Sequence, residues 1–143
     1  MVGRQFIILF FLDFHGMSCS NSYIDNSEEC LTIDFNNTVF AEGPVDPGMI
    51  INDCYIQGDC LLISLSYAGG CTEHNIGMAA MGWVKTNPAQ VDGKIIHQND
   101  DSCEAWITEE LVFDLLPLRY ENDSLLIINL EGFDKQIIHT YSE

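Results

Sequence analysis

From residue 30 onward the chain holds no helical apolar period long enough for a capped helix. What recurs is a short alternating run closed by turn residues. Leu31-Thr32-Ile33-Asp34-Phe35 alternates apolar and polar side chains, and Asn36-Asn37 follows as a turn. Val39-Phe40 resumes an extended run before the breaker-rich loop Gly43-Pro44-Val45-Asp46-Pro47-Gly48. Residues 49–56 and 60–67 flank Gln57-Gly58-Asp59, a hairpin signal with glycine in the turn. Extended runs follow at 74–84, 91–97, 103–108 and 111–115, the last two joined across a bulge at Glu109-Glu110. Residues 124–130 and 136–141 form a closing pair. The pattern predicts an all-β domain with little helix. The expected architecture is an antiparallel β-sandwich of seven or eight short strands, immunoglobulin-like, with a barrel as the second choice.

The first eighteen residues do not read as part of that domain. Arg4 supplies a minimal positive start, residues 6–12 are an unbroken apolar run, and Gly16-Met17-Ser18-Cys19 sets small residues before a cysteine. The run is too short to span a bilayer and has the size of a signal-peptide core. It resembles a bacterial lipoprotein signal, in which cleavage leaves a lipidated cysteine, here Cys19. It departs from that pattern in Gly16, where leucine is usual, and in Asp13 and His15, which intrude before the cleavage site. Residues 1–18 are therefore expected to be a signal peptide of the lipoprotein type and 19–30 an acidic tether. Residues 31–143 form the sandwich domain. The chain is expected to be exported to the cell envelope and membrane-anchored through Cys19, either periplasmic or surface-exposed.

Charge narrows the partners. Twenty-two acidic side chains face five basic ones, a net charge of −17. Such a field repels phosphates, so nucleic acid is excluded as a preferred partner. A protein or cell-surface partner stays open, and a basic surface or cations would be attracted.

Four side chains have a claim to chemistry: Cys71 and His74, just after Gly69-Gly70, then His97 and Cys103. Each lies where an extended run ends or begins. Alternating strand direction therefore puts all four at one end of an antiparallel sandwich. Three readings compete. Cys71 and Cys103 form a disulfide, the default for exported cysteines, with the histidines as satisfied polar neighbours. Alternatively Cys71, His74, His97 and Cys103 hold zinc. The ligand types suit it, while the spacing matches no zinc-finger pattern. Third, Cys71 is a nucleophile with His74 or His97 as base and Glu73 or Glu104 as orienter, in a setting too acidic to favour a thiolate. No catalytic residue is assigned and no cofactor is expected, zinc being the alternative. Of the other cysteines, Cys54 and Cys60 do not face each other in a simple register, and Cys30 is a possible partner for either. His139 has no evident partner, and Asp100-Asp101 reads as a polar turn that could at most hold calcium.

The run Ser66-Tyr67-Ala68-Gly69-Gly70-Cys71-x-x-His74 is followed by His97-x5-Cys103-Glu104-Ala105. Then comes Thr108-Glu109-Glu110-Leu111-x-Phe113-Asp114-Leu115-x-Pro117-Leu118. Together these motifs resemble an uncharacterised group of bacterial secreted proteins and lipoproteins, many from Bacteroidota and some described as NigD-like. The likeness covers roughly residues 50–132, with Ala68 where serine is more usual and Cys54 and Cys60 as extras. Its motif falls on Gly69, Gly70, Cys71, His74, His97, Cys103 and Glu104. The resemblance implies no established activity. The functional expectation is a non-enzymatic structural or interaction module, with a zinc-binding protein as the alternative.

Overall fold

Seven strands carry the structure, a computed structural model that describes residues 30–142. The expected signal peptide, Cys19 and all of the tether except Cys30 lie outside the described residues. The strands are β1 (Ile50–Gln57), β2 (Cys60–Gly69), β3 (Ile76–Val84), β4 (Ala89–His97), β5 (Ala105–Asp114), β6 (Leu125–Leu130) and β7 (Ile137–Thr140). They form two sheets, one ordered β1-β2-β5 and the other β3-β4-β6-β7. The arrangement is a sandwich; the sheets do not close into a barrel.

Every ladder is antiparallel except β4 with β6, which is parallel. The exception follows from the chain path. After β4 the chain crosses to the other sheet for β5 and comes back for β6. Two reversals leave β6 running with β4, and the two are neighbours.

The core lies between the sheets. Period-2 alternation aims Leu61, Ile63, Leu65 and Tyr67 of β2 and Phe113 of β5 at Met78, Val91, Ile95, Leu126 and Ile128. β2 is the middle strand of its sheet, so even its outward Leu62 and Ser66 are covered by neighbours.

Three local expectations need correction. Residues 31–35 are not a strand but a crossing segment. Leu31 bridges Phe113 of β5 in one sheet, and Asp34 bridges Ala79 of β3 in the other, with Ile33 buried between. Val39-Phe40 is not extended either, because a helix α1 spans Asn37–Glu42. Asn36, taken as a turn residue, caps it: its side chain accepts from the backbone N–H of Thr38 at 2.9 Å. Finally, β5 has no bulge at Glu109-Glu110. It pairs with β2 without a break from Cys60↔Asp114 to Gly69↔Ala105, and the register shifts fall in β1 and β3 instead. Glu109 can keep its inward position because its carboxylate accepts the Tyr67 hydroxyl at 2.9 Å.

Phe113 is fully buried at the centre of this packing. Phe113→Ala should lower unfolding stability by about 3–5 kcal/mol, read from the shift in a urea denaturation midpoint. A loss below about 1 kcal/mol would mean that the sheets do not pack on that ring.

Candidate functional site

Four strand ends meet at one end of the sandwich. The 70–75 connection leaves β2 for β3, and the 98–104 connection leaves β4 for β5, so each joins one sheet to the other. Cys71 and His74 ride on the first, and Cys103 on the second, while His97 closes β4.

The structure brings the four together as two pairs. Cys71 and Cys103 are joined as a disulfide, with Cα atoms 5.7 Å apart. The histidines face each other, His74 Nδ1 lying 2.9 Å from His97 Nε2. A Cys2His2 zinc site needs two thiolates, and here the sulfurs are bonded to each other, so the zinc alternative loses half its ligands. A nucleophilic Cys71 loses its thiolate for the same reason. The carboxylates at the imidazoles are Asp101 and Asp46; Glu73 and Glu104, named above as orienters, are exposed.

Asp101 is the residue that the sequence reading undervalued. One carboxylate oxygen accepts the backbone N–H of Cys103 at 2.8 Å. The other accepts the N–H groups of Cys71 and Thr72, both at 3.0 Å, and the Thr72 hydroxyl at 3.2 Å. His74 Nε2 lies 3.1 Å from that second oxygen. The backbone N–H of Cys103, with those of Thr72 and Cys71 and the imidazole, holds the Asp101 carboxyl far below the usual carboxylate range despite its enclosure. Asp101 is therefore a fixed anion and an obligatory acceptor.

A proton count along the array follows. Three gaps run from Asp101 through His74 and His97 to Asp46, whose carboxylate oxygen lies 3.4 Å from His97 Nδ1. With both rings uncharged there are two ring protons for those three gaps. If the Asp101 end is filled first, His74 donates there and His97 Nε2–H donates to His74. The deficit then falls on His97 Nδ1, the one buried side-chain atom without a hydrogen bond among the described residues. Burial pushes the His97 pKa below its ordinary value, against the pull of Asp46. Burial also raises Asp46, but hydrogen bonds from Asn99 and from the Gly48 backbone, with the nearby imidazoles, outweigh it and leave Asp46 lowered.

Neighbouring groups wedge the array in place. The Tyr67 ring packs against both imidazoles, with centroids 4.7 and 4.8 Å away. Burial and its bond to Glu109 push the Tyr67 phenol up to about 12, so it stays a donor. Asn99 donates to both Asp46 and the Ala68 carbonyl at 2.8 Å, and accepts from the Asp101 N–H at 3.1 Å. Gly69 is required by a close approach rather than by its dihedral. A methyl there would sit 2.6 Å from His74 Nε2 and 3.2 Å from the Asp101 carboxylate.

Elsewhere, Cys30 bonds to Cys60, which leaves Cys54 as the free cysteine among the described residues. Burial, helped by Asp53, pushes the Cys54 thiol up to about 12, so it is not a nucleophile near neutral pH. His139, read above as lone, pairs with Asp59 at 3.0 Å and packs on Tyr141. In the Asn99-Asp100-Asp101 stretch the Asn99 and Asp101 side chains turn inward onto the protein's own backbone, while Asp100 is exposed and accepts from the Gln98 side chain at 2.8 Å. The one sequence signal for this was the Asn and Asp spacing of paired Asx turns.

No protein-family model and no curated protein matches the chain. Solved structures share its fold. A protein of unknown function, DUF1344, from Bacteroides vulgatus superposes with a TM-score of 0.53 at 15% identity, covering 78% of this chain and 56% of that one. A NigD-like immunity protein from Bacteroides caccae gives a TM-score of 0.55 at 14% identity, covering 76% of this chain and 57% of its own. This chain thus spans little over half the length of either. The likeness is one of fold, and it includes a bearer of the NigD-like description that the sequence motifs also resemble.

The lowered His97 pKa fixes a sign. Unfolded His97 takes up a proton below about pH 6.5, while folded His97 resists it, so its contribution to stability is present above that pH and declines below it. The melting-temperature advantage of the wild-type chain over His97→Gln should therefore shrink between pH 8 and pH 5. An advantage that is constant or grows in acid would contradict this assignment.

Proposed function

We propose that this chain is an exported, lipid-anchored interaction module of the cell envelope without catalytic activity. In this reading the Cys71, His74, His97, Asp101, Cys103 cluster is a structural clasp. The observation that carries it is the Cys71–Cys103 bond, which removes both the nucleophile and the thiolate ligands from the one constellation where chemistry was expected. The two imidazoles are turned to each other and to enclosed carboxylates rather than to an open cleft.

Three further points support the reading. Two disulfides among the described residues suit an oxidising compartment. The Cys19 stretch supplies the anchor. A protein of the same fold is called a NigD-like immunity protein, and this reading takes an interaction role from that likeness. No helix among the described residues is long and apolar enough to cross a membrane, so the attachment proposed here is the lipid on Cys19.

Two measurements test this. Cys19→Ala should move the chain from the membrane to the soluble fraction of producing cells; retention in the membrane fraction overturns the anchor. Chemical cross-linking of the full chain on intact producing cells should give a discrete adduct with another protein. If only uncross-linked chain is recovered, the interaction role is wrong.

A further inference from the structure

The outer face of the three-stranded sheet sets exposed aromatic and apolar side chains among acids. Its cross-strand rows can be read from the register. Trp106 stands opposite Ala68, and Thr108 lies opposite Ser66, which in turn faces Ile50. The next row is Glu110, Ser64 and Asp53, and the one after it is Val112, Leu62 and Tyr55.

Three large side chains on this face are left in solvent: Trp106 is 58% exposed, Ile50 54% and Tyr55 45%. Between them run polar groups already satisfied by each other. Asn52 donates to Ser66 at 2.8 Å, Ser66 and Thr108 share a bond of 2.7 Å, and Tyr55 donates to Glu110 at 2.9 Å. A face braced in this way loses little side-chain entropy on docking.

Charge says what would cover it. From residue 30 on, the basic side chains are Lys85, Lys94, Arg119 and Lys135. None lies in β1, β2 or β5, whereas those strands carry Asp53, Glu109, Glu110 and Asp114. A sheet with exposed tryptophan and tyrosine, paired acids in its central row and no basic residue complements an arginine- or lysine-bearing surface. Trp106 offers a cation–π seat on the same face, two rows along β5 from Glu110. A second copy of this chain and its own acidic 19–29 segment carry the wrong sign.

We propose that the outer face of β1, β2 and β5 is the docking surface for a basic protein partner, with Trp106 as anchor and Glu110 and Asp53 as the charges that select it. This deepens, and rests on, the interaction role proposed above.

The test uses the full chain and a synthetic peptide of alternating arginine and valine, about ten residues long, near 0.15 M salt. Binding should protect β5 and β1 amides from hydrogen exchange. Trp106→Ala and Glu110→Lys should each weaken binding about tenfold or more. Glu42→Lys, which makes the same change in net charge on α1 against the other sheet, should leave it within about twofold. Equal losses for Glu110→Lys and Glu42→Lys would reduce the effect to overall charge and overturn the proposal, as would no binding or protection confined to other strands. The cross-linked adduct separates the two levels. An adduct that persists in Trp106→Ala and maps to another face overturns the surface alone. Absence of any adduct overturns the interaction role itself.

Discussion

One buried carboxylate sets the geometry at the end of the sandwich where the two sheets exchange strands. Asp101 accepts three backbone N–H groups and a hydroxyl, and it faces one imidazole; the groups bonded to it come from both inter-sheet connections. Hydrogen bonds to an ionised acceptor are stronger than neutral ones, and an enclosed anion left without them would be costly. The 70–75 and 98–104 connections are therefore held against each other even before the Cys71–Cys103 bond is counted. Gly69 leaves the space, Tyr67 supplies the packing wall, and Asn99 braces the far side against Asp46 and Ala68. Losing the Asp101 carboxylate would strand the N–H groups of Cys71, Thr72 and Cys103 together.

This arrangement explains why residues with catalytic and metal-binding potential need not do chemistry here. Histidine pairs flanked by carboxylates often signal proton transfer or metal ligation, but both uses require an open coordinate or a substrate-facing atom. In this chain the imidazoles are enclosed by each other, by Tyr67 and by Asp101 and Asp46. The two disulfides, closing sequence separations of 30 and 32 residues, are each worth roughly 3–4 kcal/mol through the unfolded state. The clasp secures the scaffold at the end where both inter-sheet connections lie.

Much of this was legible in the sequence, for identifiable reasons. Strand alternation located β1 through β7 to within a few residues, and alternating direction was enough to gather Cys71, His74, His97 and Cys103. Three things were not legible. The parallel β4–β6 ladder depends on which sheet β5 joins, and periodicity carries no sheet assignment. Helix α1 is one capped turn and a half, too short to register a period, and Asn36 serves equally well in a turn. Asp101 looked like any loop acid, because its inward direction comes from the backbone N–H groups that the fold brings around it, not from its neighbours in sequence. The pairing of Cys30 with Cys60 rather than Cys54 likewise depends on where residues 31–34 cross between the sheets.

That crossing has a mechanical consequence. The first described residue, Cys30, is covalently fixed to Cys60, which opens the middle strand of the three-stranded sheet. A pull on the chain ahead of residue 30 therefore bypasses the single bridges at Leu31 and Asp34 and loads β2 directly. β2 is held by ladders on both sides, to β1 and to β5, so freeing it breaks two ladders rather than one. A domain held at that end meets tension first through a strand bonded along both of its edges.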